Sequence, residues 1–336
     1  DVEGPATNEL LWTQPQSRGT AAGGAMSRAA VETAAAMGAV APGGEASGEK
    51  MAKCRMRDSE DLAKPYGQVM TLDEATGMDS TELYTEYKRV QTRHRFRHGE
   101  GSFSDKYMQF RRYMVDWLSD TGEELRLEKT TVHTGIAYME YVLQSNYIPK
   151  NRWQLLALAC LNIAAKFEEM EEVVPTLRMY SGVIKQEIST DLMREWEIFV
   201  MNKLSWQLRM ATALHIARYF LARGACFEDD HLQGRKIHES VPKYLNKYVD
   251  FFAELALQEE CFISVLPSVT AAAIVKCSRR ALGFERSWRK ELSLVAELAE
   301  EDDLMKTSAT LWQIFVEKFP GHIAKSESSP KGVADL

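Results

Sequence analysis

The stretch that most constrains this chain is Trp153-Gln-Leu-Leu-Ala-Leu-Ala-Cys-Leu-Asn-Ile-Ala-Ala165, in which Gln154 and Asn162 are the polar residues. A helix that is apolar on every side has to be surrounded by other helices, so it predicts the hub of a bundle. It runs straight into Lys166-Phe-Glu-Glu169, and that abrupt change from burial to charge needs an explanation. Taken alone, Lys166 at a helix C-terminus reads as satisfying its own last carbonyls and pairing with a nearby acid.

The flanking chain supplies the other helices. "KYMQFRRYMVDWL" places Phe110, Tyr113, Met114 and Trp117 at i, i+3, i+4 and i+7, and "TTVHTGIAYMEYVL" places Val132, Ile136, Met139 and Leu143 at i, i+4, i+7 and i+11, again one helix face. Further helices are expected at about 189 to 203, after a turn-like "YSGVIKQEIST", and at 211 to 223, 240 to 257, 267 to 282, 287 to 299 and 302 to 318. "VLPSVTAAAIVKC" is a second Ala-rich buried helix, with Pro267 suited to its first turn. It ends in "KCSRR" rather than in an acidic cluster. Two helical bundles of similar plan follow, and no alternating strand pattern competes.

Before them the texture differs. Residues 1 to 75 are rich in Gly, Ala, Ser and Pro, which predicts a disordered tail that can be removed at little cost. Asp79 with Glu82 resembles a capping box, and Leu83, Tyr84, Tyr87 and Val90 share a face, so a first helix is expected from 79 to about 97. A start at Asp1 rather than Met is what a piece of a longer gene product would show. The domain reading is 1–75 tail, 79–208 first helix and first bundle, 209–320 second bundle, and 321–336 tail.

Composition excludes several functions. The net charge of −7 argues against a phosphate-binding surface, so nucleic acid is not an expected partner. The five cysteines include no C-x-x-C pair, as in a reduced intracellular protein without structural zinc. No run of about 18 apolar residues occurs, and no membrane-spanning segment is expected. Neither a glycine-rich phosphate loop nor a nucleophile motif is found, so an enzyme is not expected, nor is a cofactor or metal. His94 and His98 in "RHRFRH" sit at i, i+4 without a third ligand and read as a solvated helix end.

"FRRYMVDWLSDTGEELRLEKTTVH" resembles the M-R-x-I-L-V-D-W-L opening of the cyclin box, and "LNIAAKFEE" resembles its central helix with K-F-E-E. The five positions that characterise the box fall on Arg111, Glu140, Leu155, Lys166 and Glu197, with Glu140 where the family usually has Asp. "VLPSVTAAA" is similar to the L-P-S-x-x-A-x-A helix of the second fold in A- and B-type cyclins. The resemblance, over about residues 80 to 320, implies an all-α chain of two tandem five-helix cyclin folds behind an N-terminal helix.

It also implies function. Lys166, Phe167, Glu168, Glu169 and Glu197 would bind a cyclin-dependent protein kinase, Lys166 and Glu197 reaching its αC helix. Phe110, Tyr113, Met114, Trp117, Asp120, Trp153 and Gln154 would form a groove docking R-x-L peptides of substrates or inhibitors. By spacing alone, an aromatic stripe of this kind reads as core. Arg111 and Glu140 would form a buried ion pair, and localisation would be nuclear, cytoplasmic or both. The competing classes are a nucleic-acid-binding transcription factor of cyclin fold, which would need a basic surface, and a kinase-free scaffold, which would not need Lys166 and Glu197 exposed.

Overall fold

A computed structural model describes residues 62–66, 80–93, 103–185, 187–298 and 302–320. Among them lie eleven α-helices: α1 Ser80–Arg93, α2 Asp105–Glu124, α3 Lys129–Ser145, α4 Trp153–Glu168, α5 Leu177–Ile184, α6 Thr190–Lys203, α7 Ala213–Ala222, α8 Val241–Gln258, α9 Pro267–Ala281, α10 Lys290–Ala296 and α11 Asp302–Lys318. The chain divides into two units; α2 to α6 fall in the first, together with residues 257–266, and α7 to α11 make up most of the second. Asp79, His94 and His98 lie outside the described residues.

In the first unit α4 is the hub the sequence calls for. Trp153 and every residue from Leu155 to Ala165 are buried, and α3, α6 and α2 pack around it. Gly135 lets α3 come close: a Cβ there would stand 3.1 Å from the Leu161 Cα. Side-chain hydroxyls start two of the surrounding helices, Ser104 accepting from the Tyr107 N–H and Ser189 from the Leu192 N–H, each at 3.2 Å.

The second unit repeats the plan around α9, which packs on α7 and α11 and buries Ser268 through Val275. At its "SRR" end Ser278 and Arg279 are buried and Arg280 is exposed. Arg279 is fully buried, its guanidinium paired with Asp230 at 2.8 Å and donating to the carbonyls of Ala225 and Arg286. Arg289 adds a second cation to Asp230 at 2.9 Å.

Three expectations need correction. "YSGVI" is helical, because Tyr180, completely buried, anchors α5 and tertiary packing overrides the glycine; the turn comes at Lys185, with φ 52°. Strand pairing does occur, as a small hairpin of His231–Leu232 with Arg235–Lys236. Residues 62–66, counted with the tail, are hydrogen-bonded into the second unit, with Tyr66 N–H donating to the Cys226 carbonyl at 2.8 Å.

Candidate functional site

The end of the hub helix meets α6 at a three-residue junction. Lys166 Nζ lies 2.5 Å from Glu197 Oε1, and Asn162, one turn earlier on α4, donates its amide to the same oxygen. Asn162 is buried, so of the hub's two polar residues it is the buried one that holds the acid that Lys166 meets. The sequence offered that signal, a lone Asn at i−4 from the lysine, but not its partner. Lys166 is 52% exposed, and an ion pair this accessible contributes at most about 1 kcal/mol to folding. The pair is therefore positioned by the fold far more than it supports it.

The other residues of this motif divide. Phe167 is 48% exposed and Met170 73%, and Ile198, beside Glu197, is also 48% exposed. Glu169 turns inward instead: its Oε1 accepts the Glu128 N–H at 2.8 Å and the Thr131 hydroxyl at 2.7 Å. Glu128 has no side-chain cap of its own, so this carboxylate serves the positive N-terminus of α3 from another helix. Glu168 accepts from the Thr134 hydroxyl at 2.7 Å. The two acids thus clamp the hub to α3, whereas Lys166 and Phe167 face outward and Glu197 is half-buried beneath the lysine.

Residues read as a peptide groove also separate. Met114 and Trp153 are core, at 3% and 2% exposure; the Trp153 indole donates to the Ile148 carbonyl at 2.9 Å and meets Tyr107 edge-on. Tyr113 and Asp120 are exposed, and Phe110, Trp117 and Gln154 are half-buried. The Lys150 ammonium sits 3.3 Å from the Phe110 ring centroid, which adds a cation that the sequence reading did not place there.

Arg111 and Glu140 are paired, Nε to Oε1 at 2.6 Å, with both side chains nearly inaccessible. The guanidinium also donates to the carbonyls of Gln258 and Leu257, at 3.0 and 2.9 Å, so it holds the last two residues of α8, which belong to the first unit. Burial works against the charge, but the Glu140 carboxylate outweighs it and Arg111 stays firmly protonated. The Tyr107 phenol, donating to Glu140 at 3.2 Å, is held well above its ordinary pKa by burial and by that carboxylate.

Among the described residues no cluster of His, Cys, Asp and Glu could hold a metal ion, and no helix is long and apolar enough to cross a membrane. Burial pushes the Cys226 and Cys277 thiols up to about 12, far from nucleophilic thiolates.

Comparison with known proteins decides the family. The family model "Cyclin, N-terminal domain" matches residues 82–209, and "Cyclin, C-terminal domain" matches 213–331. The chain belongs to the cyclin family. It is 30% identical to Cyclin-D of Ostreococcus tauri over 237 residues, 69% of this chain and 60% of that one. It is 27% identical to Cyclin-J of Xenopus laevis, over 55% of this chain and 50% of that protein, and 29% identical to Cyclin-A2-1 of Arabidopsis thaliana, over 50% and 35%. This cyclin therefore spans between about a third and three-fifths of the length of these relatives. The fold agrees with the X-ray structure of a viral cyclin from herpesvirus saimiri, at TM-score 0.55 and 13% identity, covering 71% of this chain and 97% of that one.

Proposed function

We propose that this cyclin is the regulatory subunit of a cyclin-dependent Ser/Thr protein kinase and activates it by holding its αC helix inward, performing no chemistry itself. The observation that carries the reading is the Lys166–Glu197 pair, fixed by a rigid hub and by Asn162, flanked by the exposed apolar residues Phe167 and Ile198. A positioned charge pair beside exposed apolar side chains is the anatomy of a protein interface. Kinases need their αC glutamate paired with the β3 lysine before phosphoryl transfer. A partner with higher affinity for that state shifts the population towards it.

The test is binding and activation of recombinant cyclin-dependent kinases by Lys166→Ala and Glu197→Ala variants. Affinity falls by about 30-fold or more, as truncating a desolvated charge pair costs roughly 2–5 kcal/mol. Folding stability changes by less than about 1 kcal/mol for Lys166→Ala. Unchanged affinity and activation in both variants would remove the kinase reading.

Within the same proposal, Phe110, Tyr113, Trp117, Asp120 and Gln154 form the substrate-docking groove, with Met114 and Trp153 as its floor. Asp120 would receive the arginine of an R-x-L segment and the aromatic side chains its leucine. Lys150 over Phe110 would have to move for the leucine to enter.

A further inference from the structure

Two stretches that precede the first bundle meet the same short helix of the second unit. At one end of α10, Glu291 Oε1 accepts the Ala63 N–H at 3.0 Å; at the other, the Ala296 carbonyl accepts the Tyr84 hydroxyl at 2.6 Å. Residues 62–66 then run along the edge of the loop after α7. Tyr66 N–H donates to the Cys226 carbonyl at 2.8 Å, and the Glu228 N–H donates to the Lys64 carbonyl at 3.0 Å. Pro65 faces Phe227 as an antiparallel bridge. Proline has no N–H to give, and here none is wanted, since both bridge bonds belong to its neighbours.

The surface beneath is held by contacts that do not involve the segment. Phe227 is buried, with the Arg289 guanidinium carbon 4.7 Å from its ring centroid. Arg289 in turn fixes both oxygens of Glu291 at 3.1 Å and is itself held by Asp230. The acceptor for Ala63 is thus locked by a buried cation.

We propose that the Cys226–Glu228 edge, together with Glu291, is a seat for an extended proline-containing peptide, filled in cis by the chain's own Leu62–Tyr66. Recognition is by main chain: an N–H aimed at a carboxylate, and a carbonyl and an N–H on either side of a proline. The strap is releasable. Leu62, Lys64 and Pro65 are exposed, so little apolar surface holds it, and segments held mainly by a few exposed backbone bonds open locally without unfolding the rest. This inference is independent of the kinase reading, because it uses neither Lys166 nor Glu197.

Amide hydrogen exchange on the full chain tests it. In the wild type the Glu228 amide exchanges at least about tenfold slower than a free amide. In an Ala63→Pro/Tyr66→Pro variant, which removes both donated N–H groups and leaves the second unit's residues intact, it exchanges about tenfold faster than in the wild type while α9 is unaffected. Millimolar synthetic peptide of residues 60–68 restores its protection in the variant and does nothing to the wild type. Equal protection of Glu228 in wild type and variant overturns the proposal, as does failure of the peptide to restore protection. Loss of protection across α9 in the variant also overturns it, since the segment would then be part of the fold and not an occupant.

Discussion

Replacing Arg111 with methionine isolates the contribution of one buried cation. The substitution keeps an unbranched stem as far as the Nε position and removes the guanidinium with its charge. Glu140 then retains the Tyr107 hydroxyl at 3.2 Å but loses the 2.6 Å ion pair, and the carbonyls of Leu257 and Gln258 lose their donor. Breaking a buried pair from one side costs about 3–5 kcal/mol, and two orphaned acceptors, partly rescued by water, add roughly 1 kcal/mol or more. A loss of about 4–6 kcal/mol is a large share of the roughly 5–15 kcal/mol that holds a domain. Exchange of the α4 amides, which reports opening of this unit, accelerates about 10³-fold or more at such a loss. Arg111→Met/Glu140→Leu removes the stranded charge as well and recovers about 2 kcal/mol or more of it. A single-variant cost below about 1.5 kcal/mol, or a double variant as costly as the two single changes added, would refute the reasoning.

Gly135→Ala drives a Cβ to within 3.1 Å of the Leu161 backbone and costs about 1–3 kcal/mol in urea unfolding, whereas Gly182→Ala, with nothing within 4 Å, is neutral or stabilising by up to about 1 kcal/mol. Trp117→Ala slows phosphorylation of full-length R-x-L substrates and spares a short peptide lacking the motif, since docking raises local concentration only; equal losses on both would place Trp117 in the core alone. For Glu291, burial would raise the carboxyl pKa, but the bonds from Arg289 and from its own and the Ala63 N–H groups hold it below its ordinary value. Its contribution is therefore complete above the unfolded carboxyl pKa of about 4.3 and is lost as pH falls through the depressed folded value. The urea-midpoint gap between wild type and Glu291→Gln narrows below about pH 4; a gap that does not vary with pH would contradict this.

What the sequence disclosed followed from periodicity. The hub, its amphipathic neighbours and the second Ala-rich helix are each encoded within a few turns of chain, and their bounds fall within a few residues of the observed ones. The K-F-E-E spacing marked Lys166, and the family pattern marked Glu197 and the Arg111–Glu140 pair. Contacts between distant positions stayed hidden. Glu169 caps a helix that begins 40 residues earlier, and Asp230 meets Arg279 across 49 positions; no local pattern records either. The aromatic stripe of α2 could not be divided into Tyr113 outside and Met114 inside, because adjacent positions on a helix differ by about 100° and the burial depends on where α4 lies. The seating of 62–66 has no sequence signature because the segment takes part through its own backbone atoms.

The shared grip of Asn162 and Lys166 on one oxygen of Glu197 makes the hub intolerant of changes in length. Both residues must present the same helical phase to α6, and a single inserted or deleted residue between Trp153 and Lys166 turns everything beyond it by about 100° and shifts it by about 1.5 Å. Such a change would carry Lys166 off the acid, and Glu168 and Glu169 off Thr134 and the start of α3. Length variation among descendants of this chain should therefore collect in the turns, such as 146–152 and 169–176, while the segment from Trp153 to Glu169 keeps its count even where its residues drift.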